Sequence, residues 1–139
     1  RQRQMCIRDS NMKVGNKLRE LFSHHKAVNK YLRSLDNDFT PKTIYIFLGC
    51  SIVDADCKSE FSYYEIKDVL KVLDQYELVK ITSPHQFYRE HKRLLNEGFI
   101  ERQTKREKYT KQQFNVSIYG RMQLRRIYNY LIRECCLPL

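Results

Sequence analysis

The sequence predicts a single domain that is mainly α-helical and carries a small β-hairpin. Apolar residues recur at helical spacing through most of the 139 residues, and only three prolines and four glycines interrupt them. One later segment alternates apolar and polar residues, which is typical of a half-buried strand. The 42% hydrophobic and 12% aromatic residues exclude wholesale disorder, and this length suits one modest core.

Residues 1–10 are set apart from the predicted domain. They resemble translated adapter read-through, of the kind found at the ends of proteins predicted from shotgun sequencing. We therefore expect one domain over residues 11–139, with a native start that is missing or lies near Met12. No apolar run approaches the roughly 20 residues of a membrane-spanning helix, and the N-terminus lacks the apolar core of a signal peptide. These features predict a cytoplasmic protein.

Two helices are predicted in the first part of the chain. Residues 13–35 keep a helical apolar spacing, and residues 36–38 break it. Thr40-Pro41 then places a capping hydroxyl before a proline, which suits the first position of a helix. Residues 44–53 continue as a nearly all-apolar helix, which indicates a central core helix. Residues 54–59 are expected to form a turn.

A capping box and an apolar stripe predict two more helices. Ser62 and Glu65 form the capping box, after a very short strand at residues 60–61. The third helix is expected to bury Ile66, Val69, Leu70 and Leu73. The last helix of the chain carries an apolar stripe of Leu124, Ile127, Tyr128, Leu131, Ile132 and Cys135, with Arg121, Arg125, Arg126 and Arg133 outside it.

A basic helix is predicted between these two. Ser83 supplies a capping hydroxyl, Pro84 stands at the first helical position, and Gly98 is placed as the stop. The inner face carries Phe87, Leu94 and Leu95, together with His91, which we interpret as a core or interface histidine rather than a ligand. The other sides carry His85, Gln86, Arg89, Lys92, Arg93 and Asn96.

A hairpin with a charged tip follows this helix. Strands are predicted at residues 99–102 and 114–118, and the turn between them contains four cations against Glu107 alone. Residues 80–133 hold 13 of the 26 Lys and Arg but only four of the 16 Asp and Glu. A charge excess confined to one motif indicates an electrostatic footprint for a polyanion, although a row of cations on one helix is more often a solvated face.

This order of elements is that of a winged helix-turn-helix that binds duplex DNA. The chain resembles the MarR-type family of winged-helix transcriptional regulators at three short motifs: Phe39-Thr40-Pro41, the segment from Leu94 to Arg102, and Val116-Ser117-Ile118-Tyr119-Gly120-Arg121. It departs from that family in the wing, which lacks an Asp-Arg-Arg signature. The connection at residues 74–81 is also long.

The resemblance implies a homodimer on a pseudo-palindromic operator, with two recognition helices about 34–36 Å apart. It makes His85 and Gln86 the expected base readers. Expected DNA contacts are Ser83, His85, Gln86, Arg89, Lys92 and Arg93 on the helix, and Lys105, Arg106 and Lys108 on the wing. Expected dimer contacts are Leu18, Leu21, Phe22, Leu124, Ile127, Leu131, Ile132 and Cys135.

Other functions are open at this point. A winged helix could instead serve in a plasmid or phage replication initiator or in an architectural protein. An initiator would occupy repeated sites at an origin, whereas a regulator would occupy a short inverted repeat near its own gene. Among regulators, a repressor is expected before an activator. An enzyme is not expected, because the sequence has no glycine-rich phosphate loop, nucleophile elbow or paired carboxylates on a recognisable scaffold.

No cofactor or metal is expected, because the cysteines form no C-x-x-C pair and have no histidine at zinc-finger spacing. We interpret the cysteines as small buried hydrophobic residues. The family resemblance suggests one alternative, which is a redox role for Cys135 and Cys136. The resemblance also suggests an effector cleft lined by Tyr31, Phe47, Tyr63 and Tyr128, where a phenolic ligand such as salicylate would weaken operator binding. The alternative is that these rings fill the core.

Overall fold

The computed structural model describes residues 19–35, 39–56, 63–76, 83–103 and 112–134, so residues 1–10 lie outside the described part of the chain. This part is mainly α-helical with one small antiparallel sheet, as predicted. No helix within it is both long and apolar enough to cross a membrane. The elements are α1 (His25–Arg33), α2 (Pro41–Asp56), α3 (Ile66–Tyr76), α4 (Pro84–Asn96), β1 (Ile100–Arg102), β2 (Phe114–Val116) and α5 (Ile118–Glu134).

The centre of the fold is α2, which contacts α1, α3, α4 and β2. It begins at Pro41 as predicted, and residues 43–44 and 46–53 are buried on nearly every side. The turn predicted at residues 54–59 starts too early, because the helix continues to Asp56, and residues 57–59 lie outside the described part of the chain. The carboxylate of Asp54 accepts the N–H of Val116 at 3.2 Å and lies 3.4 Å from Arg121, which ties this last turn to β2 and α5.

The N-terminal helix is interrupted where a continuous helix is predicted. Residues 19–23 are helical, His24 forms a turn whose N–H donates to the Leu21 carbonyl at 3.1 Å, and α1 begins at His25. The helix ends at Arg33, and Leu35 lies in a turn. Phe22, just before the break, stacks on Tyr76 of α3 with ring centroids 4.3 Å apart.

Among the described residues, the sheet consists of two strands and one further residue that is bridged to them. Strand β2 pairs with β1 in antiparallel register, with Ile100 opposite Val116 and Arg102 opposite Phe114. On its other side, Phe114 forms a bridge with Tyr64 through N–H to carbonyl bonds of 2.7 and 2.9 Å. The strand predicted at residues 60–61 lies outside the described residues. This arrangement is compatible with a winged helix.

Helix α5 begins earlier than predicted. Ile118 was expected to end the second strand but is the first helical residue and is 76% exposed. The cause is Ser117, whose hydroxyl accepts the N–H of Gly120 at 2.9 Å and donates to the carbonyl of Gly98. The N–H of Ser117 also donates to the Phe99 carbonyl at 3.1 Å. This serine therefore ends β2, caps α5 and ties both to the end of α4.

Most of the side chains expected to form a dimer interface lie inside the single chain. Helix α5 packs along α1, and Tyr130 contacts Tyr31 with ring centroids 5.1 Å apart. A partner could therefore reach only their exposed neighbours. Leu21, Phe22, Leu124, Ile127 and Leu131 are buried and Ile132 is half-buried, while Leu18 and Cys135 lie outside the described residues.

Candidate nucleic-acid interface

Helix α4 has the ends that its sequence predicts. Ser83 is extended, with φ −152° and ψ 152°, and its hydroxyl accepts the N–H of Gln86 at 3.2 Å. Pro84 follows at the first helical position, where its missing N–H costs nothing. Gly98 terminates the helix at φ +78°, a left-handed conformation that glycine adopts without strain. Local signals therefore determine where α4 begins and where it ends.

The two faces of α4 differ sharply in composition. Phe87, Glu90, His91 and Leu94 are buried against the core. Of the predicted DNA contacts, Gln86 and Arg93 are half-buried, while Ser83, His85, Arg89 and Lys92 are exposed, as is Asn96. At 100° per residue, His85, Arg89, Lys92 and Asn96 share one outward face. The structure thus brings three of the six predicted helix contacts, His85, Arg89 and Lys92, together on one accessible surface.

The buried face of α4 contains a carboxylate that the sequence analysis did not single out. Glu90 accepts hydrogen bonds from the hydroxyls of Thr40, at 3.1 Å, and Thr43, which is fully buried. Both threonines belong to the start of α2, where the positive end of the helix dipole favours a negative charge. Glu90 therefore fixes α4 against α2. Its position, three residues after Phe87 and four before Leu94, is the signal that could have revealed it.

The same carboxylate orients one of the predicted DNA contacts. Arg93 lies one turn further along α4, with its guanidinium 3.8 Å from Glu90. The Arg93 side chain keeps 36% of its area exposed. The Glu90 carboxylate therefore restrains the direction of a side chain that is still partly open to solvent.

His91 is a core histidine, as interpreted from its position. Its ring stacks on Phe87, with centroids 5.5 Å apart, and meets Phe114 edge-on at 4.5 Å. Burial, with the nearby charge of Arg102 as a smaller cause, lowers the pKa of His91 to about 4, so the ring is neutral at pH 7. Its Nε2 atom is buried and has no hydrogen-bond partner among the described residues.

The base of the hairpin lies beside α4, while its tip falls outside the described residues. Strand β1 contacts α4 and carries the exposed Arg102. The N–H of Gln103 donates to the Gln113 carbonyl at 2.9 Å, which extends the pairing beyond the strands. The predicted wing contacts Lys105, Arg106 and Lys108 belong to the tip.

Of the four aromatic residues expected to line an effector cleft, two are occupied by ring packing. Phe47 is fully buried and meets Phe99 edge-on at 5.0 Å, and Tyr31 contacts Tyr130. Tyr63 and Tyr128 are half-buried. An open groove of about 750 Å³ is found elsewhere, between α3, α4 and the sheet, and none of these four residues lines it. The alternative interpretation, in which the rings fill the core, describes Phe47 and Tyr31 better.

The described part of the chain holds one cysteine thiol, that of Cys50. No group of three or more His, Cys, Asp or Glu there could hold a metal ion. Cys50 is buried, and burial raises its thiol pKa to about 12, so the reactive thiolate is not formed near neutral pH. Cys50 therefore behaves as a small hydrophobic residue, as expected. The other cysteines lie outside the described residues.

Comparison with protein-family models, with curated proteins and with solved structures gave no match.

Proposed function

We propose that this protein is a winged helix-turn-helix that binds duplex DNA in a sequence-dependent way and regulates transcription, as a repressor. The observation that carries the proposal is the outward face of α4. It presents His85, Arg89 and Lys92 to solvent on a helix whose opposite face is fixed by Glu90 and by apolar packing. A rigid helix with cations on its free face fits the major groove of DNA.

The order and pairing of the elements support the winged-helix assignment. Helices α2, α3 and α4 precede the hairpin, and the Tyr64 bridge adds a third member to the sheet before α3. In such a fold the last of the three helices enters the groove and the hairpin lies beside it. Strand β1 contacts α4 as this geometry requires. The motif resemblance to MarR-type regulators agrees with this assignment.

The chemistry of the predicted contacts divides them into two roles. His85 and Gln86 stand at the N-terminus of α4, from which side chains reach base edges. Arg89 and Lys92 fit guanine or phosphate oxygens, and Arg93 is oriented by Glu90. The Ser83 hydroxyl accepts from Gln86 but keeps its own proton for a phosphate. Lys105, Arg106 and Lys108 of the hairpin are proposed phosphate contacts.

Binding measurements on two variants test this division of roles. We expect Arg89→Ala to change which sequences are selected from a random duplex pool. Replacing Lys105 and Arg106 together by alanine should weaken all duplexes about equally and reduce the slope of log affinity against log salt by roughly two, because each phosphate contact releases about one counterion. Replacing the exposed Lys26 and Lys30 of α1 removes the same charge elsewhere and should leave that slope nearly unchanged. The proposed surfaces are wrong if affinity for every duplex survives both DNA-face variants.

A homodimer is the second part of the proposal, since operators with two half-sites need two recognition helices. Sedimentation equilibrium at micromolar concentration should give twice the chain mass of 16.9 kDa. A single species of 16.9 kDa would remove the dimer but not DNA binding by one chain. The buried stripe of α5 is already covered by α1, so the contacting surface would have to lie on the exposed side of these helices or outside the described residues.

A further inference from the structure

The first turns of α5 expose three large apolar side chains close together. Ile118 is 76% exposed, Met122 48% and Tyr119 46%. At 100° per residue, Ile118 and Met122 are about 40° apart around the helix axis, and Tyr119 lies beside them. Single exposed apolar residues are ordinary in soluble proteins, whereas adjacent ones rimmed by polar groups mark interaction sites. These three residues form the apolar patch of α5.

Rotation of α5 cannot bury the apolar patch. The opposite side of the helix is already packed in the core, where Gly120, Leu124 and Ile127 are buried. The ring of Tyr119 also meets Phe99 edge-on, with centroids 5.2 Å apart. The patch is therefore a preformed surface.

Cations continue the same outward face. Arg125 is about 20° from Ile118 around the axis, and Arg126 follows it. Both are exposed, and the described residues provide no ion pair for either of them. Arg121 is exposed as well, but it lies 3.4 Å from Asp54, which offsets its charge. Two unpaired cations thus stand next to the apolar patch.

The composition of this face argues against a second copy of the chain as its occupant. Two copies meeting here would bring the arginines of both together, and like charges across an interface oppose association. No carboxylate is present to separate them among the exposed residues of α5 from 118 to 129, which are Ile118, Tyr119, Arg121, Met122, Arg125, Arg126 and Asn129. A homodimer contact is therefore better placed elsewhere on the chain.

A phosphate backbone or a bilayer also matches this face poorly. A nucleic acid would pair with the arginines but would leave the apolar patch in water. An amphipathic helix on a bilayer needs an apolar face along its length. Here the apolar part of the outward face ends at Met122, and Asn129 and Arg133 continue it as a polar surface. A protein segment that carries both apolar side chains and carboxylates matches the two parts together.

We propose that the outward face of α5 docks a short acidic amphipathic segment of a partner protein. Its apolar side chains would cover the apolar patch, and its carboxylates would pair with Arg125 and Arg126. Each half of the face then meets its chemical complement, which neither half finds among the described residues of this chain.

This face lies at the end of α4 that is far from the proposed base readers. Ser117, just before α5, hydrogen-bonds to the carbonyls of Gly98 and Phe99. The 13 residues of α4 place its first turn about 20 Å from that end. Partner segment and duplex would therefore bind at the same time. This second step rests on the proposed function, whereas the docking site does not.

Calorimetric titration of the full chain with a designed peptide tests the docking. The probe is a helical peptide of roughly 18 residues, with leucine at every third or fourth position, glutamate beside the leucines and alanine elsewhere. One control peptide replaces glutamate by glutamine, and the other replaces leucine by alanine. We expect the probe to bind about tenfold or more tightly than either control, because each control lacks one kind of contact. Equal affinity of probe and either control, or no binding, would overturn the proposal.

A double variant tests the apolar patch. Ile118→Gln combined with Met122→Gln should weaken probe binding about tenfold or more, because the probe's leucines lose their apolar contacts. Both side chains are exposed, so the fold should be kept. Leu35→Gln removes an exposed apolar side chain that follows α1 and should leave the affinity unchanged. An unchanged affinity in the double variant would overturn the site.

A second double variant tests the cations. Arg125→Gln combined with Arg126→Gln should also weaken the probe about tenfold, and more at low salt than at high salt. Lys26→Gln combined with Lys30→Gln removes the same charge from exposed positions of α1 and should have little effect. Equal losses in the two variants would show that the net charge of the chain attracts the probe, and would overturn the site.

Three further measurements separate the alternatives. Vesicles of phosphatidylcholine and phosphatidylserine that lose affinity with the apolar-patch variant, while the probe does not, would assign the face to a bilayer. A dimer that the same variant converts to monomer in sedimentation equilibrium would assign it to a second copy. Either result overturns the proposal. A fluorescent duplex should stay bound at saturating probe. If the probe displaces it, simultaneous binding is wrong and the docking stands; if no duplex binds while the probe does, the proposed function fails and the docking stands.

Discussion

Replacing Gly120 by alanine is expected to lower the free energy of unfolding by about 3 kcal/mol. A Cβ at this position would lie 2.2 Å from the carbonyl oxygen of Phe99 and 2.8 Å from Cγ1 of Val116. The nearer atom is backbone and cannot rotate away. Phe99 is also held on both sides, by its N–H bond to Leu94 at 3.0 Å and by the Ser117 N–H at 3.1 Å. Alanine would therefore force α5 away from the end of α4.

Gly49→Ala is the matched control for that experiment. Gly49 also lies in a helix, and its added Cβ would meet Cδ2 of Leu73 at 3.0 Å, an atom at the end of a flexible side chain. Alanine gains about 1 kcal/mol of helix propensity over glycine at either site, so Gly49→Ala should stay within about 1 kcal/mol of the wild type. Urea unfolding measures both. A Gly120→Ala protein that is as stable as the wild type would show that α5 does not approach Phe99 this closely.

The parts of the fold that were predicted correctly depend on local signals. The start of α4 follows from Ser83 and Pro84, and its end from Gly98, because each acts on backbone groups within a few residues. The start of α2 at Pro41 has the same cause. A capping residue forms hydrogen bonds with backbone groups of its own helix, so it can be predicted without knowledge of the rest of the chain.

The parts that were missed depend on partners far along the chain. Glu90 bonds to Thr43, 47 residues away, and Asp54 bonds to the N–H of Val116, 62 residues away. Acidic residues are usually exposed, so residue type alone predicts a surface position for both. Only the fold brings donors to these carboxylates. The outward face of α4 was predicted because the spacing of residues within a single helix determines which of them share a face. The role of Glu90 depends on a contact between two helices, which that spacing does not reveal.

The apolar stripe of α5 shows the limit of periodicity in another way. Ile127 and Leu131 were predicted to lie on an apolar face, and they do. The spacing of an apolar stripe predicts that another part of the protein or a partner covers it, but does not identify the covering element. Helix α1 of the same chain covers these side chains. The groove beside α4 was not foreseen for a similar reason, since it arises from the separation of α3 and α4 rather than from any one segment.

Stability is expected to fall by about 3 kcal/mol between pH 7 and pH 4 through His91 alone. Burial, aided by Arg102, lowers the pKa of this histidine to about 4 in the folded protein, from the 6.5 of an unburied imidazole. Between these values the unfolded chain binds a proton that the folded chain does not. The contribution of the neutral ring is therefore complete above pH 6.5 and is lost as the pH falls towards 4.

The free energy of unfolding in urea, measured for the wild type and for His91→Phe at several pH values, isolates this effect. Other titrating groups are common to both proteins, so their contributions cancel in the difference between the two profiles. That difference should shift by about 3 kcal/mol in favour of His91→Phe on acidification. Arg102→Gln should keep most of the wild-type slope, because burial is the larger cause of the lowered pKa. Parallel profiles for wild type and His91→Phe would mean that His91 accepts its proton while folded, which requires water or a partner at Nε2.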